Sequence, residues 1–156
     1  MFYGRVGEAA VTTALQTRIA SSPRARFGSG VEADVVEDAE RVLGVRFPQS
    51  YRWWLLRYGA GYLSGYELQG LAPVKPSERD PAELFVGDVV NTAVSNRRLG
   101  LPSHLIELLS YEGDEEYFLD LSRMVADEAP VVRRVAGSEA QEDFAPSFAA
   151  FLEQHL

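Results

Sequence analysis

The chain has 156 residues, the length of one domain that can bury its own core without disulfides or metals. It contains no cysteine, which excludes disulfides, thiolate catalysis and cysteine-ligated zinc. The formal net charge is −8, from 23 acidic and 15 basic residues, and such a field repels phosphate backbones while attracting basic partners. We therefore expect no nucleic-acid binding. The same acidity is also typical of a protein that merely stays soluble.

The N-terminal stretch MFYGRVGEAAVTTALQTRIA lacks the uninterrupted apolar core of a signal peptide. No segment has the apolar length that a membrane span requires. We therefore expect a cytoplasmic protein without membrane association. A weak helical pattern covers residues 7–19, and residues 21–30 have the composition of a loop. We assign residues 1–28 to this N-terminal helix and loop, and 29–156 to the core of the same single domain.

A second helix is predicted from Ser29, which together with Glu32 has the spacing of a capping box. Gly44 then lies where a helix ends in a left-handed residue. Between these signals, apolar residues recur at helical spacing: Val31, Val35, Ala39, Val42 and Leu43.

The segment YRWWLLRYGAGYLSGYE, residues 51–67, holds six aromatic residues and begins in a third predicted helix, whose first turn contains Pro48. One stripe of this helix is apolar and predicted to be core: Tyr51, Trp54, Leu55 and Tyr58. Trp53 and Leu56 fall on the other side. Because tryptophan is enriched at interfaces, Trp53 is a candidate partner contact.

The second half of the chain predicts a sheet. Glycines at 59, 61 and 65 end the helix and permit a hairpin through Leu71, and the segment 72–83 is a charged, proline-rich loop. Asp88 can cap a helix over 89–98, with Gly100 just beyond it. Three strands are then predicted at 105–111, 116–121 and 130–135, with a tight connection at 112–114.

A closing amphipathic helix is predicted from the spacing of Phe144, Phe148, Phe151 and Leu152, with Pro146 in its first turn. Helices first, strands later and a helix at the end is an α+β order. We expect a mostly antiparallel, mixed sheet with helices packed on one face and a C-terminal helix.

Signals for catalysis are weak. His104 and His155 have no second histidine at metal-ligand spacing, and His104 has only Ser103 or Ser110 as candidate nucleophiles nearby in sequence. The acidic runs at 114–116 and 142–143 lie in turns, where carboxylates are solvated rather than held apart across a cleft. We expect no enzymatic activity, no catalytic residue, no metal and no cofactor.

The segment VVEDAERVLGVRFPQSYRWWLLRYGAGY resembles the SUKH superfamily, which includes fungal Smi/Knr cell-wall-synthesis regulators and bacterial immunity proteins. Phe47 replaces the usual leucine, and RYGAG stands where Asn-Gly is usual. The resemblance extends from about residue 29 to the end, with SFAAFLEQHL similar to the terminal helix of the family. The residues that match its pattern are Glu40, Leu43, Gly44, Pro48, Tyr51 and, within an apolar strand, Asp120.

For bacterial members, the resemblance implies neutralisation of a cognate toxin by direct, stoichiometric binding. Many such toxins are nucleases with basic surfaces, which an acidic inhibitor can contact by imitating phosphates. We therefore expect a basic toxin domain as the protein partner. The candidate contacts are Glu112, Asp114, Glu115 and Glu116 on the predicted hairpin, with Glu67, Tyr62 and Tyr66 near the glycine-rich turn.

The sequence leaves two alternatives open. One is a Smi/Knr-like regulatory module that binds a protein of its own pathway. The other is an enzyme or small-ligand binder that uses Trp53, Tyr62 and Tyr66, for which a pocket with convergent polar groups is needed. The oligomeric state is not indicated by any of these patterns.

Overall fold

The computed structural model describes residues 2–80, 83, 85, 87–111, 114–138 and 140–156, with residues 2–11 described as backbone only. Its helices are α1 (Phe2–Ser21), α2 (Ala33–Leu43), α3 (Gln49–Arg57), α4 (Val89–Arg98) and α5 (Phe148–His155). Its strands are β1 (Ala25–Phe27), β2 (Gly61–Leu63), β3 (Tyr66–Leu68), β4 (Leu105–Tyr111), β5 (Glu115–Asp120), β6 (Val131–Val135) and β7 (Gln141–Ala145). Two short 3₁₀ turns span Pro76–Glu78 and Leu121–Arg123.

The strands form two sheets in the orders β1-β2-β3 and β4-β5-β6-β7, and all named strand pairs are antiparallel. A hydrogen bond of 2.8 Å from the Gln69 N–H to the Leu108 carbonyl links the two sheets. The main core contains residues of the helices and of one face of the four-stranded sheet, among them Trp54, Leu119 and Phe151. The predicted α+β class with a C-terminal helix is confirmed. No helix in the described part of the chain is long and apolar enough to cross a bilayer.

Two strands lie where no strand was predicted. β1 occupies the predicted loop at 21–30, because Ala25–Phe27 pairs with β2 across more than thirty intervening residues. β7 holds Phe144, which was assigned to the closing helix. Pro146 favours extended backbone at Ala145 and lies before the helix rather than in its first turn. The N-cap of the helix is Ser147, whose hydroxyl accepts the Ala150 N–H at 3.1 Å.

The predicted capping box at Ser29 and Glu32 is wrong. Glu32 itself is the N-cap of α2 and makes no capping hydrogen bond through its side chain. The preceding residues are held extended instead, since the Val31 N–H donates to the Leu55 carbonyl at 3.1 Å. The other end of α2 is as predicted, with Gly44 in the left-handed region at φ 67°.

The aromatic stripe of α3 is the centre of the core. Tyr51, Trp54 and Leu55 are fully buried, whereas Tyr58 is only half-buried. The Tyr51 and Trp54 rings stack at 6.0 Å, and Phe148 of α5 meets both rings edge-on at 5.0 and 5.7 Å. The Tyr51 hydroxyl donates to the Gln69 carbonyl at 2.6 Å, which satisfies the one polar group of that ring. The prediction that this stripe is core is therefore confirmed for Tyr51, Trp54 and Leu55, and Tyr58 lies at its edge.

The Trp54→Ala variant should lose about 3–5 kcal/mol of free energy of unfolding, because it removes a fully buried indole that packs against rings from two other elements. Urea unfolding measures the loss. Leu56→Ala is the control, since Leu56 is 43% exposed on the same helix, and its cost should stay below about 1 kcal/mol. Equal costs for the two variants would refute the burial of Trp54.

Candidate functional site

The acidic run of the β4–β5 hairpin does not form one surface. Successive residues of a strand point to opposite faces of the sheet, so Glu115 and Glu116 diverge. Asp114 is exposed in the turn, where its N–H donates to the Tyr111 carbonyl at 2.8 Å. Glu112 lies outside the described residues.

Glu115 belongs to a network on the helix-covered side of the sheet. Its carboxylate accepts the Tyr117 hydroxyl at 3.0 Å and lies 3.5 Å from the Arg133 guanidinium, which also pairs with Glu142. Burial of the ring, together with this hydrogen bond, raises the pKa of Tyr117 to about 12. Glu115 is therefore committed to contacts within the chain.

Glu116 lines a cleft of about 530 Å³ on the outer face of the four-stranded sheet. The cleft lies between this face and the segment that follows α4. Phe118, Leu105 and Val132 form a small apolar cluster on the same face, with Leu101 packed against it. The complete lining is Asn96, Leu99, Gly100, Leu101, Pro102, Leu105, Glu107, Glu116, Phe118, Arg134 and Gln141.

Glu107 is the residue in this cleft that sequence reasoning missed. It pairs with Phe118 across β4 and β5, so that Glu116, two residues before Phe118, is its diagonal neighbour on the same face. Burial and the nearby Glu116 carboxylate raise the pKa of Glu107, and the Asn96 side chain acts in the opposite direction. The pattern LIELLSY predicts an apolar strand. It does not indicate that Glu107 will lie next to an acidic residue of the neighbouring strand.

A second acidic surface, which we call the α2 acidic surface, combines α2 with the loop after β3. The Asp38 carboxylate is buried and accepts the Ser77 N–H and hydroxyl at 2.9 and 2.8 Å, which fixes this loop against α2. The described residues of these segments include three cations, and each is engaged: Lys75 lies 3.7 Å from Asp34, Arg41 lies 3.2 Å from Asp38, and the buried side chain of Arg79 lies 2.6 Å from Asp88. The exposed carboxylates of the surface are Glu32, Asp34, Glu37, Glu78, Asp80 and Glu83.

The predicted aromatic contacts are divided among three places. Tyr62 is 48% exposed and pairs across β2 and β3 with Glu67, so these two candidates do meet. Tyr66 packs edge-on against Tyr111 at 4.6 Å. Trp53 is half-buried on α3 against the core, with its ring 5.9 Å from Tyr58. The described contacts do not join these residues into one surface.

The candidate catalytic groups are also apart. The His104 ring lies 4.0 Å from the Asp120 carboxylate, whereas the His155 ring packs against Tyr117 and Phe151, with its Nδ1 atom 2.8 Å from the Phe151 carbonyl. Among the described residues, no three histidine or acidic side chains come together as a metal site would need.

A model of the SUKH_5 family, described as SMI1-KNR4 cell-wall, matches residues 11–156. The chain belongs to this family. The resemblance seen in the sequence is confirmed, and the chain is a Smi/Knr-like domain. The comparison with curated protein sequences finds no match. A solved structure, titled as the crystal structure of a protein from Pseudomonas syringae pv. tomato, shares 17% identity and a TM-score of 0.59, over 93% of this chain and 95% of that one. This likeness shows the fold alone.

The residues that match the SUKH pattern hold the fold together. The Glu40 carboxylate accepts the N–H of buried Phe47 at 2.8 Å and lies 3.5 Å from the Arg52 guanidinium, which fixes the turn between α2 and α3. Asp120 is buried and accepts the Ser122 N–H and hydroxyl at 3.0 and 2.6 Å, with Arg123 at 2.9 Å. These hydrogen bonds hold the pKa of Asp120 below its usual value although burial opposes them. Asp120 is therefore a buried, hydrogen-bonded residue that holds the end of β5 to the turn after it.

The Glu40→Ala variant should lose about 1–3 kcal/mol of free energy of unfolding, because the buried Phe47 N–H is left without its acceptor. Chemical denaturation measures the change. Glu37→Ala on the exposed side of α2 is the matched control and should stay within about 0.5 kcal/mol of the parent protein. A Glu40→Ala variant as stable as its control would contradict this role for the family acid.

The Glu107→Gln variant should be more stable than the parent protein at pH 7. The folded protein binds the Glu107 proton more tightly than the unfolded chain does, so the contribution of this carboxyl to stability falls as the pH rises between its ordinary and its raised pKa. The amide does not titrate and escapes this loss. Unfolding free energies at pH 7 and at about pH 4 should show the advantage shrinking at the lower pH. An advantage that is independent of pH would contradict an origin in the raised pKa of Glu107.

Proposed function

We propose that this protein is a non-enzymatic inhibitor that neutralises a cognate toxin, with a basic nuclease domain as its target, by one-to-one binding through its acidic exterior. The main support is the α2 acidic surface, whose two segments carry six exposed carboxylates, while the described cations of these segments already have carboxylate partners. A surface of one sign attracts an opposite surface over about a Debye length and accelerates encounter.

Occlusion requires no catalytic group from the inhibitor. A nuclease must carry a basic surface to hold phosphates, and a rigid array of carboxylates can occupy that surface in place of the nucleic acid. Rigidity is supplied by Asp38, whose hydrogen bonds to Ser77 hold the loop and the helix in one arrangement. We assign Asp114 and Glu116 of the hairpin to a secondary contact, whereas Glu115 serves the network within the chain.

The regulatory alternative is supported by the cell-wall description of the family model. The two functions differ in the partner and in the lifetime of the complex. A neutralising inhibitor must hold its toxin longer than the cell takes to dilute it, whereas a regulatory module exchanges its partner.

The test is co-expression with a toxin domain encoded by the neighbouring gene, followed by stopped-flow association with the purified domain. Cells that contain this protein should survive the toxin. The association rate should fall at least about tenfold between low and physiological salt, because exposed charges drive the encounter. Failure to protect cells together with failure to bind at micromolar concentration would overturn the proposal.

The double variant Asp34→Lys and Glu37→Lys locates the contact. It should slow association by about tenfold or more while leaving the melting temperature nearly unchanged, since the Lys75–Asp34 pair that it breaks is exposed. Glu153→Lys, an exposed acid on α5, is the matched control and should have little effect. Equal slowing by both variants would remove the α2 acidic surface from the contact.

A further inference from the structure

The cleft on the outer face of the four-stranded sheet contains two carboxylates, Glu107 and Glu116. Glu107 and Glu116 are diagonal neighbours on β4 and β5, and neither forms an ion pair within the described part of the chain. Burial raises the pKa of Glu107, and the nearby Glu116 carboxylate adds to this rise. Two like charges on one face of a sheet destabilise each other, and a cation placed between them relieves that repulsion.

The rest of the cleft selects the kind of cation. The Phe118 ring lies on the same face as both carboxylates, and the Arg134 guanidinium already approaches this ring at 5.9 Å. Arg134 nevertheless makes no ion pair with Glu116, the residue directly opposite it on β5, among the described contacts. A planar guanidinium can lie over an aromatic face and donate to a carboxylate at its edge, which an ammonium does less well.

The rim of the cleft is apolar. Leu99 is 86% exposed, the highest exposure of any large hydrophobic residue described, and Leu101 is half-buried beside it. The Asn96 side-chain amide faces Glu107 and opposes the rise in the pKa of that carboxyl. A bound peptide with an apolar side chain would cover these leucines.

We infer that this cleft binds a protein segment that carries an arginine beside an apolar residue. The guanidinium enters between Glu107 and Glu116 over Phe118, and the apolar side chain packs on Leu99 and Leu101. The inference goes beyond toxin neutralisation, because it names a peptide-binding site on a different surface from α2 and holds for any partner that presents such a segment.

The experiment titrates the full chain with three dipeptides while methyl NMR follows Leu99 and Leu101. Acetyl-Leu-Arg-amide should shift these methyl signals in a saturable way. Acetyl-Leu-citrulline-amide has nearly the same shape without the charge, and should bind at least about tenfold more weakly. Acetyl-Gly-Arg-amide keeps the charge and should bind a few-fold more weakly, since it lacks the apolar contact.

Three variants assign the binding to the cleft. Glu107→Gln should weaken the Leu-Arg dipeptide about tenfold, and Arg134→Gln should strengthen it a few-fold by removing a competing cation. Glu37→Gln removes one carboxylate from α2 and should change nothing. The inference is overturned if the citrulline peptide binds equally well, if Glu107→Gln and Glu37→Gln act alike, or if no saturable shift occurs at either leucine. None of these outcomes depends on whether a toxin is neutralised, so the two proposals fail separately.

Discussion

The stacking of Tyr51 on Trp54 is the contact on which the rest of the structure depends. The two rings lie one helical turn apart on α3, and rings from other elements meet them edge-on: Phe27 of β1, Phe47 of the α2–α3 turn and Phe148 of α5. Edge-to-face packing adds stability beyond the apolar area that each ring buries. One aromatic stripe thus fixes the relative positions of the three-stranded sheet, the helices and the C-terminal end.

This arrangement gives residues of the SUKH pattern a structural role. Because α3 packs against several elements, the turn that joins α2 to α3 must place it accurately. Glu40 fixes this turn by accepting the Phe47 N–H. Asp88 performs a similar task for α4: it caps the helix through two N–H groups and forms a buried ion pair with Arg79 at 2.6 Å. Removal of one partner from such a pair leaves a buried charge uncompensated. These buried polar residues therefore preserve the geometry of the fold.

The acids illustrate how a sheet and a helix distribute charge differently. On β5 the alternation of side chains sends Glu115 inward to Arg133 and Glu116 outward to the cleft, so a continuous acidic run becomes two sites. On α2 the helical repeat brings separated acids together, because Asp34 and Glu37 are three residues apart and lie on one face. The larger acidic surface consequently lies on the helix and its loop, where the sequence shows only scattered charges.

The sequence by itself determined the features that depend on neighbours along the chain. The stripe at Tyr51, Trp54 and Leu55, the Gly44 ending of α2 and the Asp88 cap all follow from local periodicity and backbone preference, and the family follows from the same segment. Tertiary structure alone decided the rest. β1 exists because a remote strand pairs with it, and Phe144 is in a strand because its neighbours Asp143 and Ala145 pair with β6. Glu107 lies next to Glu116 only because of the register between β4 and β5. That register depends on contacts between elements, so neither strand sequence alone predicts it.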